Sequence, residues 1–385
     1  MISNSSLTLI IATKNKPDLL RSVLKYYSLK KFPYKILIAD DTNIKLYKKF
    51  NIESIRLLNN LHIEYFTPHS PDVFSAILEL LKKVDTPYVL NSGDDDFFSL
   101  RAINKIIHFL DKNEGYVSAG GISVKLNSLW DSNHSVWKIT KKLNGTTDSY
   151  DSNKIEDRLI AYTQRLKVTT YNITRTKPLL KAYKLTTKNN LHTTTFGTEL
   201  LQNSLLLTGG KNKVFNIFYH FWFVPINRRQ LDTLNGRTQL KNKNLFGDIV
   251  NLKTSENSKV FLDLLSKQLG KNLDKKTAVN LARLVYLSYW TQYFVRRNFE
   301  SRMNLPLTTS TRNRIYLYGL KLQQRATSTL QIILFRNLFT EVFTQIYIRN
   351  VFLIGLIKLN DSLKIISILN NETRNFFSKV PSNYR

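Results

Sequence analysis

Asp94, Asp95 and Asp96 stand side by side, just after a short apolar run, Tyr88-Val-Leu90, and the turn Asn91-Ser-Gly93. Adjacent carboxylates repel one another and contribute nothing to stability at a strand end. A hard divalent cation with oxygen ligands neutralises them and can hold phosphate oxygens at the same time. The bland alternative is a solvated acidic turn or a helix N-cap, because aspartate is favourable at the start of a helix such as Leu100 to Leu110. A second acidic pair, Asp40-Asp41, ends the run Tyr34 to Ala39, and a polar turn opening at Thr13 ends a third run, Leu7 to Ala12. Asp-Asp-Thr also suits a plain turn.

The elements that must carry these residues follow from residue period. Leu7 to Ala12 is apolar and β-branched, as expected of a buried strand, and Leu19, Leu20, Val23, Leu24 and Tyr27 recur at helical spacing after it. Pro17 fits the first turn of that helix, where its missing N–H costs nothing. Tyr34 to Ala39 predicts a second strand, His62 to Phe66 a weak third, Asp72 to Val84 a helix, and Tyr88 to Leu90 a fourth strand. Strands alternating with helices imply parallel βαβ units and an open α/β sheet. Ligands of such sheets bind beyond the carboxyl ends of the strands, where Thr13, Asp40-Asp41 and Asp94 to Asp96 all fall. Residues 121–235 are mixed, and the order of strands there is not readable. From about Phe261, in Thr277 to Phe299 and Arg312 to Leu359, helical spacing dominates and predicts an all-helical C-terminal region.

Three segments together, Leu7 to Asp18, Ile38 to Thr42 and Pro87 to Asp96, resemble the N-terminal half of inverting GT-A glycosyltransferases of family 2 in order and spacing. The resemblance covers roughly residues 5–230 and implies a GT-A domain over 1–235, with a nucleotide-sugar half (1–120) and an acceptor half (121–235), followed by a basic helical domain over 236–385. It implies a nucleotide-diphosphate sugar donor, a UDP-sugar first, and Mn2+ or Mg2+. By position, Ala12 and Thr13 would lie along the nucleotide, Asp41 would accept from the base, and Asp94 and Asp95 would belong to the donor site. Asp96, last of the Asp-x-Asp, would ligate the metal with Asp94. The family usually places an aromatic residue before the asparagine of the first loop, and here Lys14 stands there. The carboxylate that deprotonates the acceptor hydroxyl corresponds to Glu199, in Phe196-Gly-Thr-Glu199, with Asp157 as the fallback. His220 is the candidate third metal ligand, although a lone histidine among aromatics is more often a hydrogen-bonded core residue. Arg228 and Arg229 suit a diphosphate because the guanidinium fork donates paired hydrogen bonds, an exposed basic turn being the alternative.

Composition bounds the rest. The 385 residues include no cysteine, which excludes disulfides, Cys-ligated zinc, iron–sulfur clusters and thiol catalysis. The net charge of +29 is unevenly placed: residues 1–120 carry 16 Lys+Arg against 13 Asp+Glu, and residues 121–385 carry 41 against 15. Codon bias toward lysine explains such an excess as well as a polyanionic partner does. Tyr286, Tyr289 and Trp290 beside Arg296 and Arg297 suit a helical core, an interfacial helix on anionic lipid, or a nucleic-acid surface. No segment has the pattern of a signal peptide, and Leu330 to Leu359 is interrupted by Arg336, Glu341, Arg349 and Lys358, short of the about 20 apolar residues of a membrane span. The expected setting is cytoplasmic, peripheral to the inner membrane at most. The expected acceptor is a hydroxyl of a surface polysaccharide or glycoconjugate. The alternatives are a polyanionic acceptor such as modified phage DNA, or a non-catalytic nucleic-acid-binding protein.

Overall fold

The computed structural model describes residues 6–70, 72–131, 136–143, 149–165, 169–191, 196–225, 256–303, 367, 368 and 371. They fall into two compact units: one within 1–151, 169–243 and 353–385, the other within 152–168 and 244–352.

The first unit is built on β1 (Leu7–Thr13), α1 (Pro17–Leu29), β2 (Lys35–Asp40), α2 (Lys45–Arg56), β3 (Ile63–Phe66), α3 (Val73–Lys83), β4 (Tyr88–Gly93), β5 (Asp96–Phe98) and α4 (Leu100–Lys112). The strands and helices predicted from period over residues 7–110 are all present, with α2 as an additional helix. Of its twelve positions only Asn51 and Ser54 are buried, so its five apolar residues do not trace a fully buried face. β3, β2, β1 and β4 run parallel in that order. Every residue of β1 except Ala12 is buried, as expected of a central strand covered on both faces.

The second half of the sheet comes from β6 (Tyr116–Asp131), β7 (Val136–Leu143), β8 (Ile173–Arg175) and β9 (Lys211–Pro225). The order continues β4-β8-β6-β9-β5, with β7 paired on β6. β8 is antiparallel to both neighbours, β9 is parallel to β6, and β5 is antiparallel to β9. The α/β open sheet expected from the sequence is therefore present, and antiparallel strands extend it.

Alternation along the strands divides the core. Leu7, Leu9 and Ile11 face α1 and α4, joined by Ile103, Ile106 and Ile107, while Ile10, Leu37 and Val89 face α3 and α6 (Thr176–Lys188). Each fully buried Leu or Ile contributes about 1.5–3 kcal/mol relative to exposure. Behind α6 a π-helical turn, Phe196–Leu201, leads into α7 (Gln202–Gly209), a helix buried nearly all round.

The second unit is helical. It contains α5 (Ile155–Arg165), α8 (Glu256–Leu269) and α9 (Lys275–Met303), which bury Leu159, Tyr162, Phe261, Leu265, Ala282, Val285 and Tyr286. Tyr286 donates to or accepts from Ser258 Oγ at 2.7 Å and packs on Phe261 at 5.3 Å between ring centroids. The helical pattern predicted over Thr277 to Phe299 is thus seen; that over Arg312 to Leu359 lies outside the described residues. Among the described residues no helix is long and apolar enough to cross a membrane.

Candidate active site

Strand register brings the polar clusters to one edge. Thr13 pairs with Asp40, and Ala12 pairs with both Ala39 and Gly93, so β1, β2 and β4 end level with one another. The Asp41 N–H extends the ladder by donating to the Thr13 carbonyl at 3.0 Å.

Asp40 is a structural residue. Its carboxylate accepts from the Thr42 N–H at 2.8 Å, from Asn51 Nδ2 at 2.9 Å and from the Tyr65 hydroxyl at 2.6 Å, and it is fully buried. Desolvation, reinforced by that hydrogen bond, pushes the Tyr65 hydroxyl well above its ordinary pKa. Asp41 instead turns to the surface and meets Lys14 Nζ at 2.5 Å.

The loop between β1 and α1 ties the two acidic clusters together. Asn15 sits at φ 55, a left-handed conformation that asparagine tolerates, donates its N–H to Thr42 Oγ1 and its Nδ2 to Asn43 Oδ1, and accepts from the Asn43 N–H on its own Oδ1. Lys16 reaches back to Asp94 Oδ1 at 3.0 Å and Asp95 Oδ2 at 3.4 Å. Asp94 takes its second contact from the Thr13 hydroxyl at 2.8 Å. Desolvation pushes the Asp95 carboxyl up to about 7; Lys16 opposes the rise, and Asp94 and Asp96 add to it.

Asp96 opens β5 and is almost completely buried. Its Oδ2 accepts from the Gly93 N–H and its Oδ1 meets His220 Nε2, each at 2.8 Å. A Cβ on Gly93 would come within 2.8 Å of both the Asp95 and Asp96 carboxylates, so a larger residue there would push these side chains aside. His220 is brought across by β9, where it pairs with Phe98. Its ring stacks between Phe98 and Tyr171, at 4.7 and 4.6 Å, and Nδ1 lies 2.9 Å from Ser123 Oγ. In the tautomer with its proton on Nε2, His220 donates to Asp96 and accepts from Ser123; a hydroxyl can donate as well as accept, so Ser123 also serves the tautomer that frees the Nε2 lone pair.

These donors suit a divalent cation in kind: carboxylate oxygens from Asp94 and Asp96 and an imidazole nitrogen from His220. Among the described residues no three such groups already converge, because Asp94 is turned to Thr13 and Lys16 while Asp96 and His220 face each other.

Ala12 lies on β1 within this edge. Glu199 lies in the π-helical turn, a form of helix that recurs at functional sites. Asp157 belongs to the second unit, at the start of α5, and accepts from Ser152 Oγ at 2.9 Å. Arg228 and Arg229 lie outside the described residues. Lys16 and Ser123 were not legible as site residues. Lys16 reads as one more lysine in a lysine-rich chain, and Ser123 has no local signal, since its partner is 97 positions away.

Among solved structures the chain is similar to that of S. aureus TarS, at 14% identity and a TM-score of 0.38 over 74% of this chain and 54% of that one. It therefore spans just over half of the TarS chain. It is also similar to TarS 1-349, at 14% identity and a TM-score of 0.39, and to TarS 1-349 in complex with UDP-GlcNAc, at 13% and 0.37; these cover 74% of this chain and 89% and 90% of those chains. No curated protein matches. Residues 8–181, which hold the whole parallel half of the sheet and both acidic clusters, match the family described as glycosyl transferase family 2. The match accordingly assigns residues 8–181 to a glycosyl transferase family 2 domain.

Proposed function

We propose that the protein is a metal-dependent, inverting glycosyltransferase that moves a sugar from a nucleoside-diphosphate donor, a UDP-sugar, to an acceptor hydroxyl in surface polysaccharide or glycoconjugate synthesis. The observation that carries this reading is the alignment of Thr13, Asp41 and Asp94 to Asp96 at the carboxyl ends of β1, β2 and β4, with His220 delivered beside Asp96. Carboxylates gathered where an open α/β sheet binds its ligand suit a nucleotide only if something neutralises the repulsion. Asp96, His220 and Asp94 would hold Mn2+ or Mg2+, which when bound offsets the charge of the departing diphosphate.

The chain's own residues do the rest. Ala12 and Thr13 lie along the nucleotide, Asp41 accepts from the base, and Asp94 and Asp95 line the ribose and sugar. Lys16, already among these carboxylates, supplies a positive charge next to the diphosphate. Arg228 and Arg229 add donors to it. Glu199 takes the proton from the acceptor hydroxyl as that oxygen attacks the anomeric carbon from the face opposite the diphosphate, which inverts the configuration. Asp157 is the alternative base.

A panel of UDP-, GDP-, CMP- and dTDP-sugars, assayed for donor hydrolysis and transfer with and without Mn2+, tests the reading. Turnover of a UDP-sugar that requires Mn2+ and is lost in Asp96→Asn, with the variant's melting temperature checked in parallel, is the expected result. Full activity in Asp96→Asn, or in chelator, would remove the metal from the mechanism.

A further inference from the structure

Ser123 meets His220 because β9 slips by one residue against β6. Ile122 lies opposite Phe218, yet the next residue, Ser123, lies opposite His220, so β9 carries Tyr219 as an extra residue at that step. From there the register is regular as far as Ser128 and Pro225. In an unbroken ladder Ser123 would face Tyr219 instead. A slip of this kind re-aims a side chain, and here the surroundings are shaped to it. A Cβ on Gly121 would lie 2.6 Å from both the Ile217 carbonyl oxygen and Tyr219 Cβ, so β6 has glycine where the slipped strand presses on it. Tyr219 is buried, and its hydroxyl donates to the Tyr171 carbonyl at 2.9 Å. The Tyr171 ring in turn covers one face of His220 while Phe98 covers the other. The imidazole is thereby held with Ser123 Oγ 2.9 Å from Nδ1 and Asp96 Oδ1 2.8 Å from Nε2.

We propose that Ser123 is a positioning residue for the metal: its hydroxyl accepts the Nδ1 proton of His220 and so frees the Nε2 lone pair to ligate a cation beside Asp96. The proposal rests on the metal reading above and extends it to a residue outside the ligand set. A neutral imidazole has one lone pair, and the nitrogen that keeps the proton needs an acceptor. With no acceptor at Nδ1 the proton belongs on Nε2, where Asp96 receives it, and the ring has nothing to offer a metal. Ser123 removes that bias. On metal binding Nε2 gives up its proton and Nδ1 takes one, with no net change in protonation, and the hydroxyl turns from donor to acceptor. Little else has to move. Ligands at right angles on an octahedral ion stand about 3 Å apart, close to the 2.8 Å between Asp96 Oδ1 and His220 Nε2.

Mn2+ binding to the full chain, read from the loss of the free ion's electron paramagnetic resonance signal with and without UDP, tests the proposal in the wild type, Ser123→Ala, Ser123→Thr and His220→Gln. Ser123→Ala should weaken Mn2+ by about 10- to 100-fold, the range for losing the outer partner of a metal-bound histidine. Ser123→Thr keeps the hydroxyl and should bind like the wild type. His220→Gln should lose at least as much, and adding Ser123→Ala to it should cost nothing further, because the serine acts through the ring. Melting temperatures in chelator check that each variant is folded. A second readout needs no variant: nitrogen-15 shifts of His220 in the wild type should pass from the Nε2–H to the Nδ1–H tautomer when Mg2+ is added with UDP. An unmoved tautomer overturns the proposal. Unchanged Mn2+ affinity in Ser123→Ala or in His220→Gln also overturns it, and leaves the aspartates to hold the ion. If the wild type binds no Mn2+ in either condition, the metal reading falls and this proposal with it.

Discussion

Asp40 and Asp41 are neighbours with opposite duties. Asp40 is fully buried and serves three donors from three segments: Thr42, Asn51 on α2 and Tyr65 on β3. Its truncation to alanine strands those donors in the interior, each unsatisfied group costing about 1–3 kcal/mol. Asp40→Ala should therefore lower unfolding stability by at least about 2 kcal/mol in a denaturant titration. Asp41→Ala removes an exposed ion pair that contributes about 0–1 kcal/mol and should leave stability nearly unchanged, while on the proposed donor-site reading it should weaken nucleotide binding by about tenfold or more. A variant pair with the reverse pattern would exchange the two roles. In the sequence, Asp40 and Asp41 look alike: both follow the same apolar run, and the choice of Asp41 for the base came from the family resemblance. The physical difference comes from Asn51 and Tyr65, which lie 11 and 25 positions further on. The same holds for Asp96, whose position after a strand was readable but whose partner His220 is 124 residues away.

At the scale of elements, legibility tracked sequence separation. β1, β2 and β4 are continuous apolar runs, and adjacent βαβ units leave little choice of topology, so the edge they form could be placed without coordinates. β5 could not. It has three residues and exists because β9 pairs with it, Asp96 opposite Trp222. Nothing in the residues of Phe196–Leu201 marks the turn as π-helical, because it depends on a backbone contact outside it. A Cβ on Gly197 would lie 1.9 Å from the Leu191 carbonyl oxygen, so the turn closes against the preceding segment only with glycine there. Gly197→Ala must displace backbone, and overpacking of this kind costs about 1–3 kcal/mol. Gly209 ends α7 with nothing within 4 Å of its Cβ position, and Gly209→Ala is the matched control. Thermal unfolding should show a clear drop for Gly197→Ala and none for Gly209→Ala. If Glu199 is the general base, the first variant should also lose kcat at temperatures where it remains folded. Loss of stability with unaltered kcat would separate this turn from the chemistry.

At the scale of the molecule, the +29 net charge and the acidic edge make opposing demands. The edge concentrates Asp40, Asp41 and Asp94 to Asp96, with Lys14 and Lys16 the cations paired to them among the described residues, and an extended polyanion would be repelled there without a bridging metal. In the sequence the basic excess follows residue 120: residues 121–385 carry 41 Lys+Arg against 15 Asp+Glu. At 0.1 M salt the screening length is about 10 Å, so a surface charge acts mainly on what lies that close to it. Two consequences can be measured together. The full chain should bind heparin, used as a generic polyanion, with an affinity that falls linearly in log salt, the slope reporting the number of contacts. UDP with Mn2+ should bind with the same affinity, within about twofold, whether or not heparin is saturating, because a ligand at an independent site carries no coupling free energy. Competition between the two would place the polyanion in the donor cleft and make the carboxylates, through their metal, part of its binding site. Independence would assign the basic remainder to holding an anionic acceptor or surface while the acidic edge handles the donor.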